Sequence, residues 1–148
     1  MPKLAELSAI FEASAFAGIE MENIAKLASI LEFGQTKAGE FVYQMGDPRA
    51  LYIVVSGRVE ICDPMKHTVL KQLSKGDAFG MLALMFNCSV SPEARAVEDT
   101  SVLVLDSGTL RMLEVSDPSL AIVVLRCVRK VMGELMSQLS PVIMRMAL

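Results

Sequence analysis

The sequence has little of what catalysis and metal binding usually require. It holds one histidine, His67, whereas a metal-dependent β-barrel needs several His or carboxylate ligands converging on one ion. His67 is therefore read as a surface hairpin residue. No nucleophile-elbow motif sets a serine beside it. The cysteines, Cys62, Cys88 and Cys127, are odd in number and form no CxxC pair, which argues against a disulfide framework and a zinc site. They are read as reduced thiols used in packing. Long apolar runs are also missing, although 53% of the residues are hydrophobic. A membrane-spanning helix needs about 20 apolar residues with few charges. The best run, Leu120 to Leu125, meets Arg126, Arg129 and Lys130 almost at once. Lys3, Glu6 and Glu12 interrupt the amino-terminal stretch, so it holds no clean signal-peptide core. Positive charge is not in excess either: the formal net charge is −3. The one basic cluster, Arg126, Arg129 and Lys130, lies on a mixed-charge helix face and falls short of the many Lys/Arg contacts that nucleic acid demands. These absences predict a soluble, cytoplasmic protein that is not an enzyme, spans no membrane and contacts no nucleic acid through this chain.

What is present is one domain's worth of chain. Its 148 residues suffice to bury a core without disulfides or metals, and no linker to a second domain is evident. Residues 1–32 read as helical. Leu4, Leu7 and Phe11, then Ile24, Leu27, Ile30 and Leu31, recur at helical spacing, with Gly18 between the two segments. From Phe33 the texture changes. Glycines at 34, 39, 46, 57, 76 and 80 separate short β-rich runs: Glu40 to Gln44, Leu51 to Ser56, Arg58 to Cys62, Thr68 to Leu73, Ala94 to Val97 and Ser101 to Leu105. Short strands at this spacing predict a barrel or sandwich. Val59 and Ile61 alternate onto one face, while Leu51 to Val55 is apolar throughout, as in a strand covered on both sides. Phe79 to Phe86 lacks β-branched residues and predicts a short inner helix. Asp106 or Ser107 caps a helix through Val115. Asp117-Pro118 then supplies an N-cap with proline in the first helical position. In the last helix Leu125, Val128, Met132, Leu135 and Leu139 form a stripe, and Pro141 ends or kinks it. The domain map is 1–32 amino-terminal helices, 33–106 β-roll and 107–148 carboxy-terminal helices.

Three ordered motifs carry a family resemblance. Gly46-Asp47, Leu51-Tyr52-Ile53-Val54-Val55-Ser56-Gly57-Arg58-Val59-Glu60-Ile61 is the first. Leu73 with Gly76-Asp77-Ala78-Phe79-Gly80 is the second. Arg95-Ala96-Val97-Glu98-Asp99-Thr100 with Val102-Leu103-Val104-Leu105 is the third. Together they resemble the cyclic-nucleotide-binding domain of bacterial catabolite-activator regulators, kinase regulatory subunits and gated channels. The resemblance runs from about residue 10 to 140. It implies a mainly β fold with flanking helices: a double-stranded β-helix, or jelly-roll (β-roll), with a short inner helix. It also implies a regulatory role in signal transduction.

In that family the ligand cassette reads Phe-Gly-Glu, two or three apolar residues, then Pro-Arg-(Ala/Ser)-Ala. Helix amide groups meet the phosphate, the arginine adds charge-assisted hydrogen bonds, and the glutamate accepts from the ribose. Here Phe79 and Gly80 match, but Met81 stands at the glutamate position, Ser89 at the proline and Val90 at the arginine. Arg95 falls at a family strand position that carries a surface Lys or Arg, so it is not assigned to the phosphate. Ala94 and Ala96 are the inward pair beside it, and Glu93 adds charge that repels a phosphate. The resemblance thus places the ligand site at Phe79, Gly80, Met81, Leu82, Ala83, Ser89, Val90 and Ser91, with cyclic AMP or cyclic GMP as the implied ligand and no further cofactor. Gly80 reads either as the point where a sugar meets the backbone or as an ordinary strand-to-helix turn. Two functions follow: a small-molecule sensor with weakened or altered nucleotide binding, or a degenerate relative serving as a docking or dimerisation module. Met132, Met136, Ile143, Met144 and Met146 leave flexible apolar surface near the carboxy terminus, which predicts a homodimer or protein partner through the last helices.

Overall fold

A computed structural model describes residue 16, residues 18–81, residue 84 and residues 92–137. The order of elements is α1 (Met21–Ile30), β1 (Glu32–Thr36), β2 (Phe41–Tyr43), β3 (Ala50–Ser56), β4 (Val59–Cys62), β5 (Val69–Leu73), β6 (Ala78–Phe79), β7 (Glu93–Ala96), β8 (Thr100–Asp106), α2 (Ser107–Ser116) and α3 (Pro118–Ser137). Every strand pairing is antiparallel. The strands form two four-stranded sheets, β1-β8-β3-β6 and β2-β7-β4-β5.

Alternation along β3 explains how the layers stack. Ala50, Tyr52 and Val54 point into an apolar cluster that both sheets build, with Val102 and Phe79 from one and Tyr43, Val59, Leu73 and Ala94 from the other. This cluster is the inside of the roll. Leu51, Ile53 and Val55 point the other way. They join Leu103 and Leu105 of β8 and the buried faces of the helices: Ile24, Leu27 and Ala28 of α1, Leu110 and Leu113 of α2, and Leu120, Ala121, Val124, Val128 and Val131 of α3. An unbroken apolar strand is thus used on both faces, with Ala50 through Val55 all buried.

Helix starts follow the capping signals. The Asp106 carboxylate accepts a hydrogen bond from Thr109 N at 2.7 Å, and that of Asp117 accepts from Leu120 N at 3.2 Å, with Pro118 the first helical residue. Asp117 also lies 3.7 Å from the Lys26 ammonium of α1. The β4–β5 hairpin is closed by Asp63 N donating to Thr68 O at 2.9 Å, and His67 takes a positive φ of 57° at its tip.

The structure departs from the sequence expectations in two places. Residues 32–36 form a strand that pairs along its length with β8, from Glu32 opposite Val104 to Thr36 opposite Thr100. Glu-Phe-Gly-Gln-Thr has no clear period-2 pattern, and pairing with β8 recruits it. The inner helix follows Gly80 as expected, but a two-residue strand that the sequence did not announce precedes it. Ala78 and Phe79 pair with Ile53 and Tyr52 as β6, Gly80 makes the turn, and Met81 is the first helical residue, with Leu84 N donating to Gly80 O at 3.0 Å. The first predicted helical segment (Leu4, Leu7, Phe11) and the chain beyond Ser137, including Leu139, Pro141, Ile143, Met144 and Met146, lie outside the described residues.

Candidate functional site

The strand β6, the Gly80 turn and the start of the inner helix form the centre of the candidate site. Phe79 is buried and its ring stacks on that of Tyr52, with centroids 4.8 Å apart and planes 6° from parallel. Tyr43 meets Tyr52 at 6.2 Å with its ring tilted by 57°. These three rings line the roll interior beside the turn. Burial, with smaller contributions from the Asp47 carboxylate and Tyr43, raises the Tyr52 phenol above its ordinary pKa. Sequence reasoning missed this array. Its signal was available: Tyr52 sits two residues from Val54 on a strand buried on both faces.

Gly80 has a φ of +89°, and a Cβ there would overlap the Ala50 carbonyl oxygen and press on the Tyr52 ring. The glycine is therefore required by the protein's own backbone, whether or not a ligand arrives. Met81 is only 4% exposed. It lies, with Leu84, in the apolar cluster that holds the helices against the sheet rather than among the residues inside the roll. Its thioether is a weak acceptor and offers a sugar hydroxyl nothing comparable to a carboxylate. Leu82, Ala83, Ser89, Val90 and Ser91, the remaining expected site residues, lie outside the described residues, as does Cys88.

The charged residues following the cassette have other tasks. Arg95 stands opposite Glu60 in the β4–β7 ladder and bonds its carboxylate at 2.8 Å on the outer face of the sheet. Ala94 and Ala96 on either side of it are buried, as alternation requires. Glu93 was expected to repel a phosphate. In the structure its carboxylate accepts from Met45 N at 3.0 Å and fastens the β2–β3 connection. Among the described residues no group of three His, Cys, Asp or Glu is placed to hold a metal ion, and no helix is long and apolar enough to cross a membrane. Burial raises the thiol pKa of both Cys62 and Cys127.

Comparison with known proteins gives the geometry a context. The family model described as cyclic nucleotide-binding domain matches residues 34–116, from within β1 to the end of α2. The chain is 33% identical over 108 residues to a protein described as a potassium channel in Rhodopseudomonas palustris; the match covers 72% of this chain and 26% of the relative, so the chain corresponds to about a quarter of that protein's length. It superposes on a cyclic nucleotide-binding domain from Methylobacillus flagellatus with a TM-score of 0.74 at 21% identity, covering 88% of this chain and 75% of that one. It also superposes on a triple mutant, bound to cAMP in its A site, of the regulatory subunit of a cAMP-independent protein kinase A from Trypanosoma brucei. There the TM-score is 0.70 at 17% identity, covering 91% of this chain and 46% of that one. One of the three substitutions in that mutant replaces threonine with arginine.

Proposed function

The chain belongs to the cyclic nucleotide-binding domain family, and from that premise we propose that it is a non-catalytic regulatory module with a weakened hold on cyclic nucleotides, its whole length forming one domain. The ligand would lie at Phe79, Gly80, Met81, Leu82, Ala83, Ser89, Val90 and Ser91, with cyclic AMP or cyclic GMP the nucleotides to test. One observation carries the sensor reading: Met81, the residue after the Gly80 turn, belongs to the same apolar cluster as Leu110 and Leu113 of α2 and Leu120, Val124 and Val128 of α3. Close-packed interiors transmit displacement. A ligand that shifts the start of the inner helix must therefore favour one seating of α2 and α3 over another, and that difference is the signal.

The weakness has a separate cause. A cyclic nucleotide is held by an anionic phosphate and a ribose hydroxyl, and here both expected partners are apolar. A charge-assisted hydrogen bond contributes about 1.5–3 kcal/mol, and about 1.4 kcal/mol is tenfold in affinity. Loss of two such partners weakens binding by roughly two orders of magnitude or more. Amide groups at the start of the inner helix and the hydroxyls of Ser89 and Ser91 are the polar groups left to a phosphate. The second reading is a docking or dimerisation module that has lost the nucleotide altogether. The apolar residue at the glutamate position favours it, and the Trypanosoma neighbour is a case of this fold in a kinase described as cAMP-independent.

Isothermal titration of the full chain with cyclic AMP and cyclic GMP separates the two. Saturable binding in the micromolar range supports the sensor. No heat at millimolar nucleotide assigns the docking role.

A further inference from the structure

The β4–β5 hairpin holds a surface that neither function uses. Among the described residues β5 pairs with β4 alone, and none of the described strands covers its other edge. Four of its five residues, Val69 to Gln72, are exposed. Val69 is 48% exposed, Leu70 58% and Met65 in the adjoining turn 73%. The register jumps from Ile61 opposite Lys71 to Cys62 opposite Val69, which leaves Leu70 as the extra residue of a bulge with its side chain in solvent. The edge is nevertheless held firmly. Asp63 closes the hairpin through its backbone, and its carboxylate accepts from Met65 N at 2.8 Å and Lys66 N at 3.1 Å.

An open edge with adjacent exposed apolar residues is a template for another strand. Charge decides what kind. Residues 64–75 contain Lys66, Lys71, Lys75 and His67 but no Asp or Glu, in a chain whose net charge is −3. Two copies meeting edge to edge would bring this basic strip against itself, whereas like charges across a strand pair are destabilising. An acidic strand would gain both the ladder hydrogen bonds and the charge match. We propose that the β5 edge docks an extended segment of a partner protein that alternates acidic and apolar residues, added as a fifth strand beside β5.

The probe is a fluorescein-labelled peptide, Glu-Val-Glu-Ile-Glu-Val-Glu-Ile, titrated with the full chain at low salt, with amide exchange followed by NMR. The expected result is saturable binding with slowed exchange along Val69–Gln72. The same peptide with its strand-pairing nitrogens methylated keeps charge and side chains but loses the N–H donors, and should bind roughly tenfold more weakly or worse. Lys66→Glu with Lys71→Glu should weaken the parent peptide to a similar extent, in a variant whose circular dichroism is unchanged. If that variant fails to fold, the methylated peptide still decides. The proposal is overturned by no saturation at millimolar peptide, by equal binding of the methylated peptide, or by slowed exchange only at another sheet edge. Exchange along β5 that slows with protein concentration alone would assign the edge to a second copy and likewise overturn it.

Discussion

Two glycines show how far single residues constrain this fold. A Cβ on Gly57 would overlap the Asp99 carbonyl and Thr100, and one on Gly80 would overlap the Ala50 carbonyl; both residues have φ near +90°. Gly80→Ala should lower unfolding free energy by about 1–3 kcal/mol from backbone conformation alone, with the overlap adding to it; urea denaturation reads the loss. Asp63 makes a pH prediction. Hydrogen bonds from the Lys66 and Met65 amides lower its carboxyl pKa below the ordinary value. A depressed acid contributes stability above its unfolded pKa and loses it as pH falls through the folded one. The protection of the Met65 and Lys66 amides, relative to their intrinsic exchange rates, should therefore hold from neutral pH down through the usual aspartate range and fall only below it; unchanged protection there would remove Asp63 as the hairpin's fastener. At this scale the sequence was readable where a residue meets backbone geometry. It was less readable at Met81, where the family resemblance put a methionine at a glutamate position but did not show that the side chain packs against the helices.

Elements were legible in proportion to how much of their stabilisation is local. The capped helices α2 and α3 start where Asp106 and Asp117-Pro118 predict. The alternating or doubly buried strands β3, β4, β5, β7 and β8 fall within a residue of their expected bounds. The Asp106 cap should be worth about 0.5–2 kcal/mol, measured as the stability lost in Asp106→Ala. β1 and β6 were not legible because neither carries its own pattern. β1 is stabilised by its ladder to β8, and β6 has two residues whose strand character is a contact with β3. Phe79 was grouped with the helix formers that follow Gly80 rather than with the strands. The stack on Tyr52 settles it as the last residue of a strand instead, a case of tertiary packing overriding propensity.

Across the whole molecule, sheet and helices share one apolar cluster that holds both Met81, just after the Gly80 turn, and Val128 of α3. Leu113→Ala, in the middle of that cluster, should cost about 2–5 kcal/mol in unfolding free energy. The order of roll and helices was visible in the sequence because glycine spacing, strand alternation and caps all agreed on it. The proposed loss of anchors at the candidate site was visible only as a departure from a motif. The central claim is that an otherwise intact roll lacks its ionic anchors at positions 81 and 90, and the most direct measurement restores them. Met81→Glu with Val90→Arg, titrated calorimetrically with cyclic AMP beside the parent chain, should gain roughly two orders of magnitude in affinity. Because a carboxylate at position 81 would be buried without a partner, the unliganded variant should melt lower than the parent and recover when nucleotide is added. A parent chain that already binds as tightly as the variant would show that the missing groups are supplied from elsewhere in the fold and would contradict the account.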